Sequence, residues 1–188
     1  MLNVVTLKGN KLNIENEVIL KNVGRESDSY LQYIVDNYDS LPDICIFTQA
    51  NISDHKGKND VNYLLNLKNE ALLNSKSNNF IVHYESDSHV CCWDKEWNLI
   101  DGQYFLADSY KNNKCITFIE WFKENINTDY PNPIYIYSCA IFAVKKEYII
   151  NKPIEYYKKL ILEVNHHIDP AEGHFLKDLG IIYFRKSF

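Results

Sequence analysis

Four residues with strong chemistry crowd one short stretch: Asn22, Gly24, Arg25 and Glu26 lie within KNVGRESDSYLQYI, between a β-branched run and an amphipathic pattern. An arginine there can hold a diphosphate through parallel N–H bonds, and Gly24 lets the backbone approach an anion near a helix N-terminus. The plainer alternative is a surface pair of Arg25 with Glu26 or Asp28, worth ~0 to 1 kcal/mol. Far along the chain, Glu172 falls in the first turn after Asp169-Pro170, where the positive end of a helix suits a carboxylate offered as a base. It serves equally as half of a capping box with Asp169. His174, two residues on, is open to the roles of metal ligand, proton carrier or helix surface residue. His166 and His167 close the preceding helix, where a cation suits the dipole and no further role is required.

Two more polar clusters follow strand-like runs. Gln49, Asn51, Asp54 and His55 come after ICIFT, and Glu85, Asp87 and His89 come after NFIVHY. In doubly wound sheets ligands bind at the carboxyl ends of strands, which makes these ends the places to inspect, although strand ends are polar in any case. Asp54-His55 and Glu85-x-Asp87-x-His89 offer hard oxygen and imidazole ligands for Mg²⁺ or Mn²⁺, and such pairs also arise by chance. No organic cofactor is indicated.

The elements that must position these residues alternate in type. Asn3 to Leu7 and Glu17 to Leu20 are β-rich, and Ser29 to Tyr38 is helical, with Ser27 or Asp28 able to cap it. Ile44 to Thr48 predicts a central strand covered on both faces. Val61 to Leu73 predicts a second helix, and Asn79 to Tyr84 a further strand. The Thr117-Phe-Ile-Glu120 capping box predicts a helix to about Asn125. Ile134 to Val144 predicts a strand or strand pair, Pro153 opens another helix, and Asp169-Pro170 starts the last. This order predicts a single α/β domain over 1–188 with a mostly parallel sheet. An irregular insertion at about 85–113 is either a functional excursion or a small hairpin.

Composition narrows the function classes. A chain of 188 residues with net charge −5 has no broad basic face for phosphate backbones, so no nucleic acid partner is expected. No apolar run reaches the ~20 residues of a membrane span, and the N-terminal residues lack the pattern of a signal peptide. Five scattered cysteines, odd in number and without a Cys-x-x-Cys pair, predict neither a disulfide framework nor a zinc ribbon, and point to a reducing, cytoplasmic setting. The 14 Tyr, 9 Phe and 3 Trp serve either a tyrosine-rich core or stacking on sugars and bases.

Three ordered blocks, NVGRESDSYLQYIVDNYDSLPDICIFTQAN, SCAIFAVKKEYIINKPIEYYKKL and DPAEGHFLKDLGIIYF, resemble a widespread domain family of uncharacterised function. That family is similar in plan to GT-A glycosyltransferases, which hold a nucleotide-sugar in a three-layer α/β sandwich. The resemblance implies a nucleotide-diphosphate sugar donor and a glycan or other hydroxyl acceptor. On this plan Asn22, Gly24, Arg25, Glu26, Gln49 and Asn51 would face the donor, and Glu172 would deprotonate the acceptor. Trp93, Trp97, Tyr104 and Ser138 would line the acceptor side. Gln49-Ala50-Asn51 stands where such enzymes carry Asp-x-Asp, so a Mn²⁺ or Mg²⁺ ion would fall to Asp54, His55, Asp87 or His174, or Arg25 would substitute for it. Lys177-Asp178 also departs from the Glu-Arg of relatives. The rival readings are a non-catalytic carbohydrate or nucleotide-sugar binding domain, and a metal-dependent nucleotide-sugar or phosphodiester hydrolase using Asp54, His55 and Asp87.

Overall fold

In the computed structural model, which describes residues 5–8, 13, 15–48, 62, 64–66, 68–69, 81–82, 88–91, 118–126, 134–137 and 141–178, strands and helices are mixed throughout. β1 (Val5–Lys8) and β2 (Glu17–Leu20) pair in parallel. β3 (Ile44–Phe47), β4 (Ile81–Val82) and β7 (Phe142–Lys145) form a sheet in the order β3-β7-β4. β5 (Ser88–Cys91) pairs with β6 (Ile134–Tyr137). The helices are α1 (Arg25–Asp36), α2 (Phe118–Ile126), α3 (Lys146–Ile149), α4 (Ile154–Val164) and α5 (Ala171–Asp178). Residues 62, 64–66 and 68–69, inside the helix expected over Val61 to Leu73, are helical.

Strand direction departs from expectation. Both pairings of the three-stranded sheet are antiparallel, as is β5 with β6, and among the described residues only β1 and β2 run parallel. Alternation of strands and helices fixes element type, but direction depends on how long connections return. The long separation between β3 and β7 leaves it free. The central strand of the trio is also β7 rather than β3. Ile141, Phe142, Ala143 and Val144 are all buried, as a strand covered on both faces must be, whereas β3 buries Cys45 and Phe47 and leaves Ile44 and Ile46 half-buried. The expected run from Ile134 to Val144 splits into β6 and β7, which belong to different sheets.

α1 starts at Arg25, four residues before the periodicity alone suggests, because Gly24 supplies the turn. Gly24 has φ +66° and Arg25 has φ +49°, so two successive residues are left-handed. Neither Ser27 nor Asp28 caps the helix. Both lie buried in its first turn, and Gly24 takes the cap position without a side-chain hydrogen bond. Leu31 and Ile34, three apart, face inward. α4 follows Pro153 as its sequence predicts, and buries Tyr157, Leu160, Ile161 and Val164 in a three-and-four rhythm.

α1 packs on α4 and α5. Aromatic rings tie the layers together: Phe47 meets Phe142 at 5.2 Å and Tyr30 at 4.9 Å, joining sheet to α1. Trp121 of α2 lies 5.2 Å from Phe175 of α5 and donates its indole N–H to Glu163 of α4 at 3.2 Å, so a buried ring keeps its polar edge satisfied. The Tyr157 hydroxyl donates to the Ile149 carbonyl at 2.7 Å. Full burial of such side chains stabilises by roughly 1.5–3 kcal/mol each. The tyrosines described here are largely core and framework, the plainer of the two uses their number allowed.

Candidate functional site

The junction after β2 and the start of the last helix, far apart in sequence, form one place. Gly24 donates its backbone N–H to the His167 carbonyl at 2.8 Å, and Ser27 donates its buried hydroxyl to the Gly173 carbonyl at 2.7 Å. Two small residues make this approach possible. A Cβ on Gly24 would stand 2.4 Å from the Asp28 Cβ and 3.0 Å from the Val164 carbonyl oxygen; one on Gly173 would stand 3.4 Å from the Gly24 oxygen. The first turns of α1 and α5 therefore touch, beside the end of α4.

Arg25 leaves its left-handed backbone to meet Asp169. Its Nη1 donates to Asp169 Oδ1 at 3.1 Å, and Nε lies 3.5 Å from Glu26 Oε2. His174 Nε2 stands 2.9 Å from the same Asp169 oxygen and 3.3 Å from Arg25 Nη1. One ring nitrogen cannot donate to the carboxylate and accept from the guanidinium together. The shorter, charge-assisted contact decides it: Nε2–H donates to Asp169, and the arginine contact follows because both donors converge on Oδ1. Partial burial pushes the Asp169 carboxyl up, but its hydrogen bonds from His174 and Arg25, and their charges, more than offset this and hold it below the usual carboxylate range.

Sequence places Asp169 as a helix cap, but its side chain instead bridges two helices. The backbone N–H of Asp169 is taken up by His167 Nδ1 at 3.0 Å. α5 begins at Ala171 after Pro170, one position later than a cap at Asp169 requires.

Glu172 is the most unusual group of the site. It is 1% exposed, and its Oε2 has no hydrogen-bond partner among the described residues. His166 Nε2 lies 3.8 Å from it, on a ring that remains one-third exposed. Buried carboxylate oxygens are nearly always paired, because leaving one unpaired costs roughly 1–3 kcal/mol or more. A buried carboxylate oxygen in this state calls for an explanation, and a catalytic role is one.

Of the residues singled out from sequence, Gly24, Arg25, Glu26, Glu172 and His174 are thus gathered at one junction, with Asn22 exposed just before it. Gln49, Asn51, Asp54, His55, Asp87, Trp93, Trp97, Tyr104 and Ser138 lie outside the described residues. His174 is a poor ligand for a divalent cation where it stands, since a guanidinium lies 3.3 Å from its Nε2. Among the described residues no group of three or more His, Cys, Asp or Glu could hold a metal ion, and no helix is long and apolar enough to cross a membrane. Sequence reasoning missed Asp169 and His166, each explained too readily by the helix end it sits on. The density of His, Asp and Glu in HHIDPAEGH was the available signal.

Residues 6–187 match the family described as "Protein of unknown function (DUF3431)". The chain belongs to the DUF3431 family. No curated protein and no solved structure matches it. The family match extends beyond the three blocks, taking in the region of β1 and β2 and the stretch from 85 to 113 that the resemblance left out.

Proposed function

We propose that this DUF3431 chain is a glycosyltransferase of GT-A-like plan that moves a sugar from a nucleotide-diphosphate sugar to a hydroxyl acceptor. The observation that carries the reading is Glu172: a buried carboxylate with an oxygen that has no hydrogen-bond partner among the described residues, in the first turn of α5, at the junction where Arg25 also arrives. Transfer to a hydroxyl needs a proton acceptor and a cation for the departing diphosphate, and this junction holds one of each. Arg25, about 40% exposed, is reachable by a ligand, with Asn22, Gly24 and Glu26 beside it. Gln49 and Asn51 belong to the donor side of this reading, and Trp93, Trp97, Tyr104 and Ser138 to the acceptor side. A Mg²⁺ or Mn²⁺ ion would assist the leaving group from Asp54, His55 or Asp87. His174 is assigned to Asp169 instead.

The test is a thermal-shift panel of UDP-, GDP-, CMP- and dTDP-sugars, with and without Mn²⁺, followed by assay of nucleoside diphosphate release. A ligand at about 100 times its Kd stabilises by about 2.7 kcal/mol. The expected result is a shift with one nucleotide that disappears in Arg25→Ala, and turnover that disappears in Glu172→Gln while binding remains. Binding without turnover in either protein would move the assignment to a binding domain. Metal-dependent release of sugar or phosphate without an acceptor would move it to a hydrolase.

A further inference from the structure

Glu172 is almost fully buried, whereas the His166 ring beside its Oε2 is open to solvent. The His166 ring, one-third exposed, places Nε2 at 3.8 Å from Glu172 Oε2, beyond a hydrogen bond but within one small side-chain adjustment of it. Catalytic hydrogen bonds are often long before substrate arrives and tighten in the complex. Imidazole geometry then does the rest. When Nε2 faces the carboxylate, Nδ1 points away from it, and it has no hydrogen-bond partner among the described residues.

We infer that Glu172 and His166 form a carboxylate–imidazole dyad, in which buried Glu172 fixes the ring with Nε2–H toward itself and His166 Nδ1 takes the proton of the acceptor hydroxyl. The inference rests on the transferase reading for the identity of the acceptor, and makes His166 the catalytic residue and Glu172 its positioning residue. In the transfer step the hydroxyl proton passes to His166 Nδ1 as the acceptor oxygen bonds to the anomeric carbon of the donor. The bond from that carbon to the diphosphate oxygen breaks, and its electron pair leaves with the nucleoside diphosphate. The imidazolium, held beside Glu172, then returns its proton to solvent. A second pair, His174 with Asp169 at 2.9 Å, lies on the same helix start but is occupied by Arg25, and His167 Nδ1 accepts the Asp169 N–H, so among the described histidines of this junction His166 is the one beside Glu172.

The decisive experiment has two arms. Nitrogen-15 NMR of histidine-labelled protein reads the His166 tautomer: Nε2–H essentially alone is expected in the wild type, relaxing in Glu172→Ala to the tautomer mixture of an unpartnered imidazole. A wild-type ring protonated on Nδ1 overturns the dyad, whatever the substrate. The kinetic arm uses whichever nucleotide-sugar the thermal panel selects. His166→Gln is expected to lower kcat by about 100-fold or more with KM little changed, in line with loss of a general base. Undiminished kcat in His166→Gln, with turnover abolished in Glu172→Gln, would overturn the inference and leave the transferase reading intact. If no donor is bound or turned over, the transferase reading falls, and the tautomer alone decides the dyad.

Discussion

Arg25 and Asp169, 144 positions apart, meet at 3.1 Å and join the first turn of α1 to the approach to α5. The pair is more than a surface contact, because Asp169 also accepts a hydrogen bond from His174 and so serves two helices at once.

Asp169→Asn tests that bridge through pH. The folded protein holds the Asp169 carboxyl below its ordinary value, so its stabilisation is fully present above the unfolded value of about 4 and is lost as pH falls through the folded one. The side chain is about one-third exposed, which limits the effect by solvent screening. Asp169→Asn is expected to cost about 1 kcal/mol at pH 7, and the difference from wild type should shrink steadily below pH 4 in urea melts. A difference that stays constant with pH would remove the ion pair from the account.

The left-handed backbone at the start of α1 makes a second prediction. A side chain at φ +49° is strained, and glycine relieves this by ~1–2 kcal/mol. Arg25→Gly should therefore be more stable than Arg25→Ala, although both lose the same ion pairs. Gly24→Ala, at φ +66° and with its new Cβ 2.4 Å from that of Asp28, should cost at least about 2 kcal/mol. Equilibrium denaturation of the three variants checks the order.

Glu172→Gln separates fold from chemistry. Oε2 has no hydrogen bond to lose among the described residues, so the neutral isostere should change unfolding free energy by no more than about 1 kcal/mol. Activity, by contrast, should be lost. A large loss of stability with retained activity would make Glu172 a structural residue.

Cys45 should be chemically silent in the native state. Burial pushes its thiol up to about 12, against a smaller downward pull from Lys146, and only the thiolate reacts. Alkylation by iodoacetamide at pH 8, followed on the Cys45 peptide by mass spectrometry, should be slow in native protein and fast in denaturant. The raised value has a linkage sign as well: the buried thiol favours folding below the unfolded value of about 8.5, and this contribution fades as pH rises toward 12.

Much of the element plan was legible because it is written in local pattern. The inward spacing of Leu31 and Ile34, the Pro153 start of α4, and the strand character of Ile44–Phe47 need only neighbours three, four or two residues away. Strand direction and order were not legible. Nothing near Phe142 says that β7 will stand between β3 and β4 and run against both.

The candidate site divides along the same line. Sequence by itself determined that Glu172 would sit at a helix start and that Arg25 would lie close before one, since proline and acidic residues mark the first boundary through short-range sterics and dipoles, while the start of α1 at Arg25 itself was set by Gly24. Tertiary structure decided that the two starts would be one place, that Asp169 would bridge rather than cap, and that Glu172 would be sealed beside His166. Those outcomes depend on Gly24 and Gly173 letting two helices touch, a contact between segments almost 150 residues apart that local pattern cannot carry.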